Sequence, residues 1–235
     1  MSARFEELDW LQTPMGELSL RRRLEPSLGI DIFEVKLGEE FLMSSLFTVA
    51  EEELARLGLC AVAGIDLNVL VGGLGLGYTA VTALADERVS AVTVIDALPA
   101  VIDWHQRKLL PVSAMLVDDP RTRLVEGDFF ALMRAAPLEG AASFDAILLD
   151  VDHSPRHQLN PSHADLYTAD GLRRLARHLS ARGVFALWSD DPPDDEFMSV
   201  LGQVFPGASA HVVDFPNPIT GGISSNSVYV ASAGS

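Results

Sequence analysis

From Leu67 onward, short apolar runs alternate with longer stretches in which apolar and polar residues are mixed. Runs of this length bounded by glycine or acidic residues read as strands, and the mixed stretches between them as helices. The strands expected are Leu67–Val71, Ala91–Ile95, Arg123–Glu126, Phe144–Leu149 and Gly183–Trp188. The helices expected are Tyr78–Asp86, Leu98–Leu110, Phe129–Ala135, Ser162–Ser180 and Pro193–Phe205. Two more strands, Ala210–Phe215 and Ser227–Ala231, have no long helix between them and are expected to pair antiparallel. Regular strand–helix alternation implies a mostly parallel sheet. The fold class is therefore α/β, a seven-stranded Rossmann-like sheet.

Before this region the pattern has period two. Ile30, Ile32, Val35 and Leu37 are separated mainly by Asp31, Glu34 and Lys36, and Gly38-Glu39 reads as a tight turn into Phe41–Ser44. With Glu17–Arg23 these runs form a small antiparallel appendage over residues 1–50. A helix over Glu51–Leu59 then opens the main domain, residues 51–235.

Composition narrows the function classes. The chain has 235 residues, 48% hydrophobic and 21% charged, which is ordinary globular composition. With 17 basic and 33 acidic residues its formal charge is −16, which disfavours nucleic acid or an anionic membrane as partner. Cys60 is the only cysteine, which excludes an internal disulfide and any multi-cysteine zinc site. The acidic N-terminus does not read as a signal peptide, and Asp66, Asn68 and the following glycines interrupt the most apolar stretch, so a cytoplasmic protein without a membrane span is expected.

In an open parallel sheet, ligands lie beyond the carboxyl ends of the strands. The first strand runs into Gly72-Gly73-Leu74-Gly75-Leu76-Gly77, whose Gly73, Gly75 and Gly77 permit positive φ and close approach of a ligand. The second ends at Asp96, able to accept ribose hydroxyls. The third ends in Gly127-Asp128-Phe129, a carboxylate for an adenine amino group with an aromatic edge beside it. The fourth ends at Asp150, followed by Val151-Asp152-His153-Ser154-Pro155. Singly, each feature has a plain structural reading: Asp128 and Asp96 as helix caps, Asp150 as a turn residue. Gly75-Leu76-Gly77-Tyr78-Thr79-Ala80 also satisfies the nicotinamide pattern GxGxxA. Together, at successive strand ends, they point to a nucleoside site.

The stretches VLVGGLGLG (69–77), VTVID (92–96), LVEGDFFALM (124–133), FDAILLDVDHSP (144–155) and LYTADGLRRLARHLSARGVFALWS (166–189) resemble the spermidine synthase family, a branch of the class I S-adenosylmethionine-dependent methyltransferase superfamily. The resemblance implies the seven-stranded methyltransferase sheet with an N-terminal β domain, and a homodimer. It also implies a donor of the S-adenosyl-L-methionine type, intact or decarboxylated. Gly75 stands where the family's glycine loop carries an aspartate, and Val94 where it carries a ribose-binding acid. His153 replaces the second aspartate of the loop after the fourth strand, Gly171-Leu172 an aromatic pair, and the Tyr-His-Glu signature has no match among residues 48–53.

Apart from Val94, these departures fall on polyamine-binding positions, so the reading favours methyl transfer to a small-molecule acceptor, an amine among the candidates. Aminopropyl transfer to a polyamine is the alternative, and a non-catalytic nucleoside-binding module the rival of another class. Asp150 is the candidate base and His153 a candidate acid or base. Asp152, one residue away, is the candidate to substitute for the second loop aspartate. His153, His157 and His163 are expected to line or cover a cleft and not to hold a metal. Asp190, Asp191, Asp194, Asp195 and Glu196 read as a solvated helix start.

Overall fold

Val69, Leu70 and Val71 are fully buried, as are Ala146, Ile147, Leu148 and Leu149, so adjacent residues on both faces of these strands lie inside. Only a sheet covered on both sides buries consecutive residues in this way. The computed structural model describes residues 5–13, 16–140 and 142–232. The main sheet contains β5 (Leu67–Gly72), β6 (Val89–Asp96), β7 (Thr122–Glu126), β8 (Phe144–Leu149), β9 (Leu179–Ser189), β10 (Ser209–Asn217) and β11 (Gly222–Ser232). Its order is β10-β11-β9-β8-β5-β6-β7, with β11 antiparallel to both β9 and β10 and the other pairs parallel. This is the expected α/β fold.

One face carries α1 (Val49–Cys60), α2 (Tyr78–Leu84), α3 (Pro99–Gln106) and α4 (Ser113–Val117), packed on Leu54, Val69, Val71 and Leu116. The other carries α5 (Phe129–Arg134), α6 (Ala169–Ala176) and α7 (Asp195–Gly202), packed on Leu70, Ile147, Phe185 and Leu201. Among the described residues no helix is long and apolar enough to cross a membrane.

The N-terminal sheet has four strands in the order β1 (Phe5–Thr13), β2 (Gly16–Glu25), β3 (Ile30–Leu37) and β4 (Glu40–Ser44). The first was not anticipated, because FEELDWLQT alternates poorly and its acids resemble a solvated terminus. Its partner resolves this: Glu6 lies opposite Arg22 and accepts from it at 2.6 Å. Trp104 of α3, fully buried, donates its indole N–H to Asp9 at 2.8 Å and joins this sheet to the main domain.

Three expected helices are shorter than the sequence implies. Leu98–Leu110 ends at Gln106, Lys108 takes a positive φ of 56°, and the chain restarts as α4 beyond Pro111. Ser162–Ser180 is a 3-10 turn, Pro161–His163, and then α6. There the hydroxyl of Thr168 accepts the Gly171 amide at 3.1 Å and starts a new helix. The last helix begins after Asp194, whose carboxylate takes the amides of Glu196 and Phe197, and not at Pro193.

Candidate functional site

The carboxyl ends of β5, β8 and β9, the start of α1 and the tip of the β10–β11 hairpin surround a cavity of about 460 Å³. The N-terminal sheet roofs it with Phe41, Leu42 and Met43, and Phe47 follows from the connection to α1. Tyr78, Trp188 and Phe215 add aromatic wall, with Phe47 and Phe215 5.8 Å apart between ring centroids. Glu51, Asp150 and Asp190 supply carboxylates. Among the described residues lining the cavity there is no lysine or arginine.

Gly75, Gly77, Asp150 and His153 line this cavity; Gly73, Asp96, Gly127, Asp128 and Phe129 do not. Gly73 has φ 92°, and a Cβ there would lie 2.0 Å from the carbonyl oxygen of Asp150. Its smallness lets the end of β8 close against the loop, where the Asp150 amide donates to Gly72 O at 2.8 Å. Gly77, also at φ 92°, caps α2, and a Cβ there would meet Leu116 at 2.7 Å and His105 at 2.8 Å. Gly75 sits under the roof, its Cβ position 3.1 Å from Met43 Sδ.

Four of the loop amides are engaged within the fold. Gly73 donates to Ile95 O at 2.9 Å, Leu74 to Asp96 at 2.8 Å, Gly77 to Leu74 O at 2.8 Å, and Gly75 also bonds Asp96. The other oxygen of Asp96 accepts the Leu98 amide at 2.8 Å. Burial raises the pKa of Asp96 and these amides oppose it. Asp96 thus locks the glycine loop to the end of β6. His105, fully buried beneath the loop, has Nε2 3.0 Å from Gly75 O and Nδ1 3.1 Å from Ser113 Oγ. A carbonyl only accepts, so Nε2 carries the proton and Nδ1 accepts from the serine. Burial holds this imidazole below its ordinary pKa, in the neutral form that both bonds require.

Asp128 caps α5, accepting the Ala131 amide at 3.0 Å, and its second oxygen lies 3.6 Å from Arg134. Its side chain is half exposed at the end of β7. Phe129 is a core residue, stacked edge-on against Phe130 at 5.6 Å and pressed on Gly72. A Cβ on Gly127 would make only ordinary contact with Ile95, at 3.5 Å.

Asp150 accepts from Thr79 Oγ1 at 2.8 Å. Burial pushes its pKa up to about 6, and the threonine bond pulls the other way. Glu51, in the first turn of α1, is pushed up to about 8 by burial and then by the charge of Asp150. Two like charges in a partly dry wall favour one shared proton, so the pair titrates as a unit. Asp190 stands at the outer rim, held by Asn226 at 2.7 Å. Trp188 Nε1 is buried with no hydrogen-bond partner among the described residues.

Comparison with known proteins bears on this arrangement. No protein-family model matches the chain. The polyamine aminopropyltransferase of Sulfolobus acidocaldarius is 30% identical over 155 residues, 64% of this chain and 49% of that protein. Spermidine synthase from Thermotoga maritima superposes with a TM-score of 0.74 at 21% identity, over 97% of this chain and 73% of that one. The chain has the fold of a spermidine synthase. Putrescine N-methyltransferase 2 of Nicotiana tabacum is 34% identical over 146 residues, 60% of this chain and 39% of that protein. The chain therefore aligns with half or less of the length of these curated relatives.

Within this fold, the structure separates histidines that the sequence groups together. His153 lines the cavity with Nε2 3.1 Å from Glu40 of the roof, and His157 pairs with Asp191 at 2.9 Å. His163 stacks on Phe130 at 3.6 Å and bonds Asp152 at 2.8 Å. Asp152 is fully buried, and it also takes the Leu159 amide and the Tyr167 hydroxyl. It has no free face to offer a substrate, which corrects its expected role as a substitute carboxylate. Asp190 is likewise a cavity residue and not part of a solvated helix start.

Glu51 is the residue that the sequence reading missed. Glu51-Glu52-Glu53 looks like a charged helix start, yet Glu51 shares a stripe with buried Leu54, Ala55 and Gly58, at spacings of three, four and seven. That periodicity was the available signal.

Proposed function

We propose that this chain transfers an aminopropyl group from decarboxylated S-adenosylmethionine to an amine acceptor. The observation that carries this is the charge of the cavity: Glu51, Asp150 and Asp190 line it, with no lysine or arginine beside them among the described residues. An ammonium group is the natural counter-charge. The donor's carboxylate would meet carboxylates here, and the amides of Gly73, Leu74, Gly75 and Gly77 are engaged within the fold. A decarboxylated donor avoids that conflict.

When bound, the donor supplies an activated carbon on sulfonium: the C–S bond breaks as the acceptor nitrogen forms a new C–N bond, and a neutral thioether leaves. The protein's part is to hold acceptor and donor in line and to take the proton the nitrogen sheds. Asp150, with its raised pKa and its orientation fixed by Thr79, suits the base role. Tyr78, Trp188 and Phe215 offer apolar wall to a methylene chain. Asp96 and Asp128 are candidates for the ribose and adenine ends of the donor, Asp96 through the lone pair its three amides leave free.

Methyl transfer to an amine is the second reading, favoured by the tobacco relative and by the altered polyamine motifs. The assay presents the protein with either donor and with putrescine, cadaverine or spermidine. Release of methylthioadenosine with an aminopropylated product is expected. Methylation from S-adenosylmethionine at a tenfold higher kcat/KM would overturn the order of the two readings.

A further inference from the structure

Glu51 has a carboxylate placed where the folded protein gives it little to do. Its neighbours Glu52 and Glu53 bond Arg56 at 2.7 and 2.8 Å, so the charge that suits a helix N-terminus is already supplied on the outer side. Glu51 points the other way, into the cavity wall, and no side chain of the described residues donates to it. Its charged surroundings are all acidic: Asp150 from the end of β8, Asp190 from the end of β9 and Glu52 from its own helix. From α2 it meets the neutral Tyr78 and Thr79, the latter 3.3 Å from Glu51 O and 2.8 Å from Asp150 Oδ2. Three carboxyl groups gathered without a cation destabilise one another, and a fold tolerates this where a ligand brings the missing positive charge.

We propose that Glu51 is a substrate-anchoring residue, which together with Asp150 takes the ammonium group of the acceptor amine. This rests on the amine-transfer reading above and adds to it a residue and a proton balance. In the ligand-free site the buried pair holds a proton. A cationic amine R–NH3+ entering the site replaces that proton: Glu51–COOH becomes Glu51–COO− paired with the ammonium, and one proton leaves to solvent. Asp150 then accepts one proton from the bound ammonium, which frees the nitrogen lone pair to attack the donor carbon as the C–S bond breaks. The division of labour assigns binding to Glu51 and chemistry to Asp150.

Titration calorimetry of the full chain saturated with methylthioadenosine, with putrescine as probe at pH 7, reads the proton directly. Running it in phosphate and in Tris, whose protonation enthalpies differ, should give between half and one proton released per amine bound. Glu51→Gln should release almost none, bind putrescine at least tenfold more weakly, and raise KM for the amine tenfold while kcat changes less than threefold. A purely structural Glu51 would lower the melting temperature without moving the proton count or the split between KM and kcat. Unchanged proton release and KM in Glu51→Gln, with turnover intact, would overturn this inference and leave the amine-transfer reading standing. Wild-type protein that binds methylthioadenosine but no amine would overturn both. Should Glu51→Gln not fold, the wild type decides: its amine affinity should rise with pH between 6 and 8, and a flat profile would refute the proposal.

Discussion

Asp150 and Asp152 are two residues apart and live in opposite chemical settings. Asp152 is fully buried and receives three donors: the Leu159 amide and His163 at 2.8 Å, and the Tyr167 hydroxyl at 2.7 Å. Asp150 receives Thr79 alone among the described residues and looks into a cavity shared with Glu51. A carboxylate whose lone pairs are filled by the fold is architecture, and here it ties the segment 152–167 down beside the site. A carboxylate left under-satisfied in a partly dry wall stores an interaction for something else to complete. Asp96, with both oxygens on backbone amides, belongs mainly to the first kind, and Glu51 to the second.

Exchanging each aspartate tests the contrast most severely. Asp150→Asn keeps the shape and the threonine contact but removes the base, so turnover should fall by roughly 10²–10⁴. Its melting temperature should not drop, because the substitution relieves a like-charge neighbour of Glu51. Steady-state kinetics beside thermal melting checks both halves. Asp152→Ala should do the reverse. It strands a tyrosine hydroxyl, an imidazole N–H and an amide in the interior, at a cost of about 3–5 kcal/mol in stability. For a chain of this size that corresponds to a melting temperature lower by roughly 10 °C. Loss of activity in Asp152→Ala without loss of stability would break the comparison.

The sequence shows the first kind of carboxylate poorly and the second kind worse. Strand ends were legible because β5 and β8 are continuous apolar runs stopped by Gly72 and Asp150, and the parallel order followed from the helices between them. Asp96, Asp128 and Asp150 could be placed at those ends, but whether each oxygen meets an amide, an arginine or open space depends on loops folding back. Residues 150–168 illustrate this: His163 and Asp152 meet across eleven positions through a chain reversal that no periodicity announces. β1 stayed hidden because a strand made of acids becomes sensible only beside the arginines of β2. Glu51 was legible in principle, from the helical stripe it shares with Leu54 and Ala55, and was masked by two acidic neighbours facing solvent.

The glycine loop gives a smaller effect that sharpens the same distinction. Gly77→Ala would force a methyl group at φ 92° to within 2.7 Å of Leu116 and 2.8 Å of His105. Backbone strain and overpacking together should cost about 2–4 kcal/mol. Gly29→Ala, at φ 67° with nothing within 4 Å, has only the backbone contribution, about 1 kcal/mol. Chemical denaturation of the two variants separates the terms. Equal losses would mean that His105 and Leu116 yield freely, and that the loop is less tightly built than Asp96 and His105 imply.

The smallest effect is the pH dependence of stability in the ligand-free protein. Glu51 has its folded pKa raised from 4.5 to about 8, by burial first and by Asp150 second. Between those values the folded chain holds a proton that the unfolded chain has lost, so stability falls as pH rises through the window. Asp150, raised to about 6, adds a fall of the same sign at lower pH. His105 and His178, held neutral by burial, act oppositely, since below about 6.5 the unfolded chain binds the extra protons. Between pH 7 and 8 the histidines have largely titrated, and the remaining slope belongs to the proton that Glu51 shares with Asp150. One proton of difference removes at most about 1.4 kcal/mol per pH unit, a fall in melting temperature of no more than roughly 3–5 °C. Thermal melts at pH 7.0, 7.5 and 8.0 should show this fall in the wild type and a flat line in Glu51→Gln. Saturating putrescine should flatten the wild-type line as well, because an amine bound as the inference requires leaves Glu51 ionised throughout.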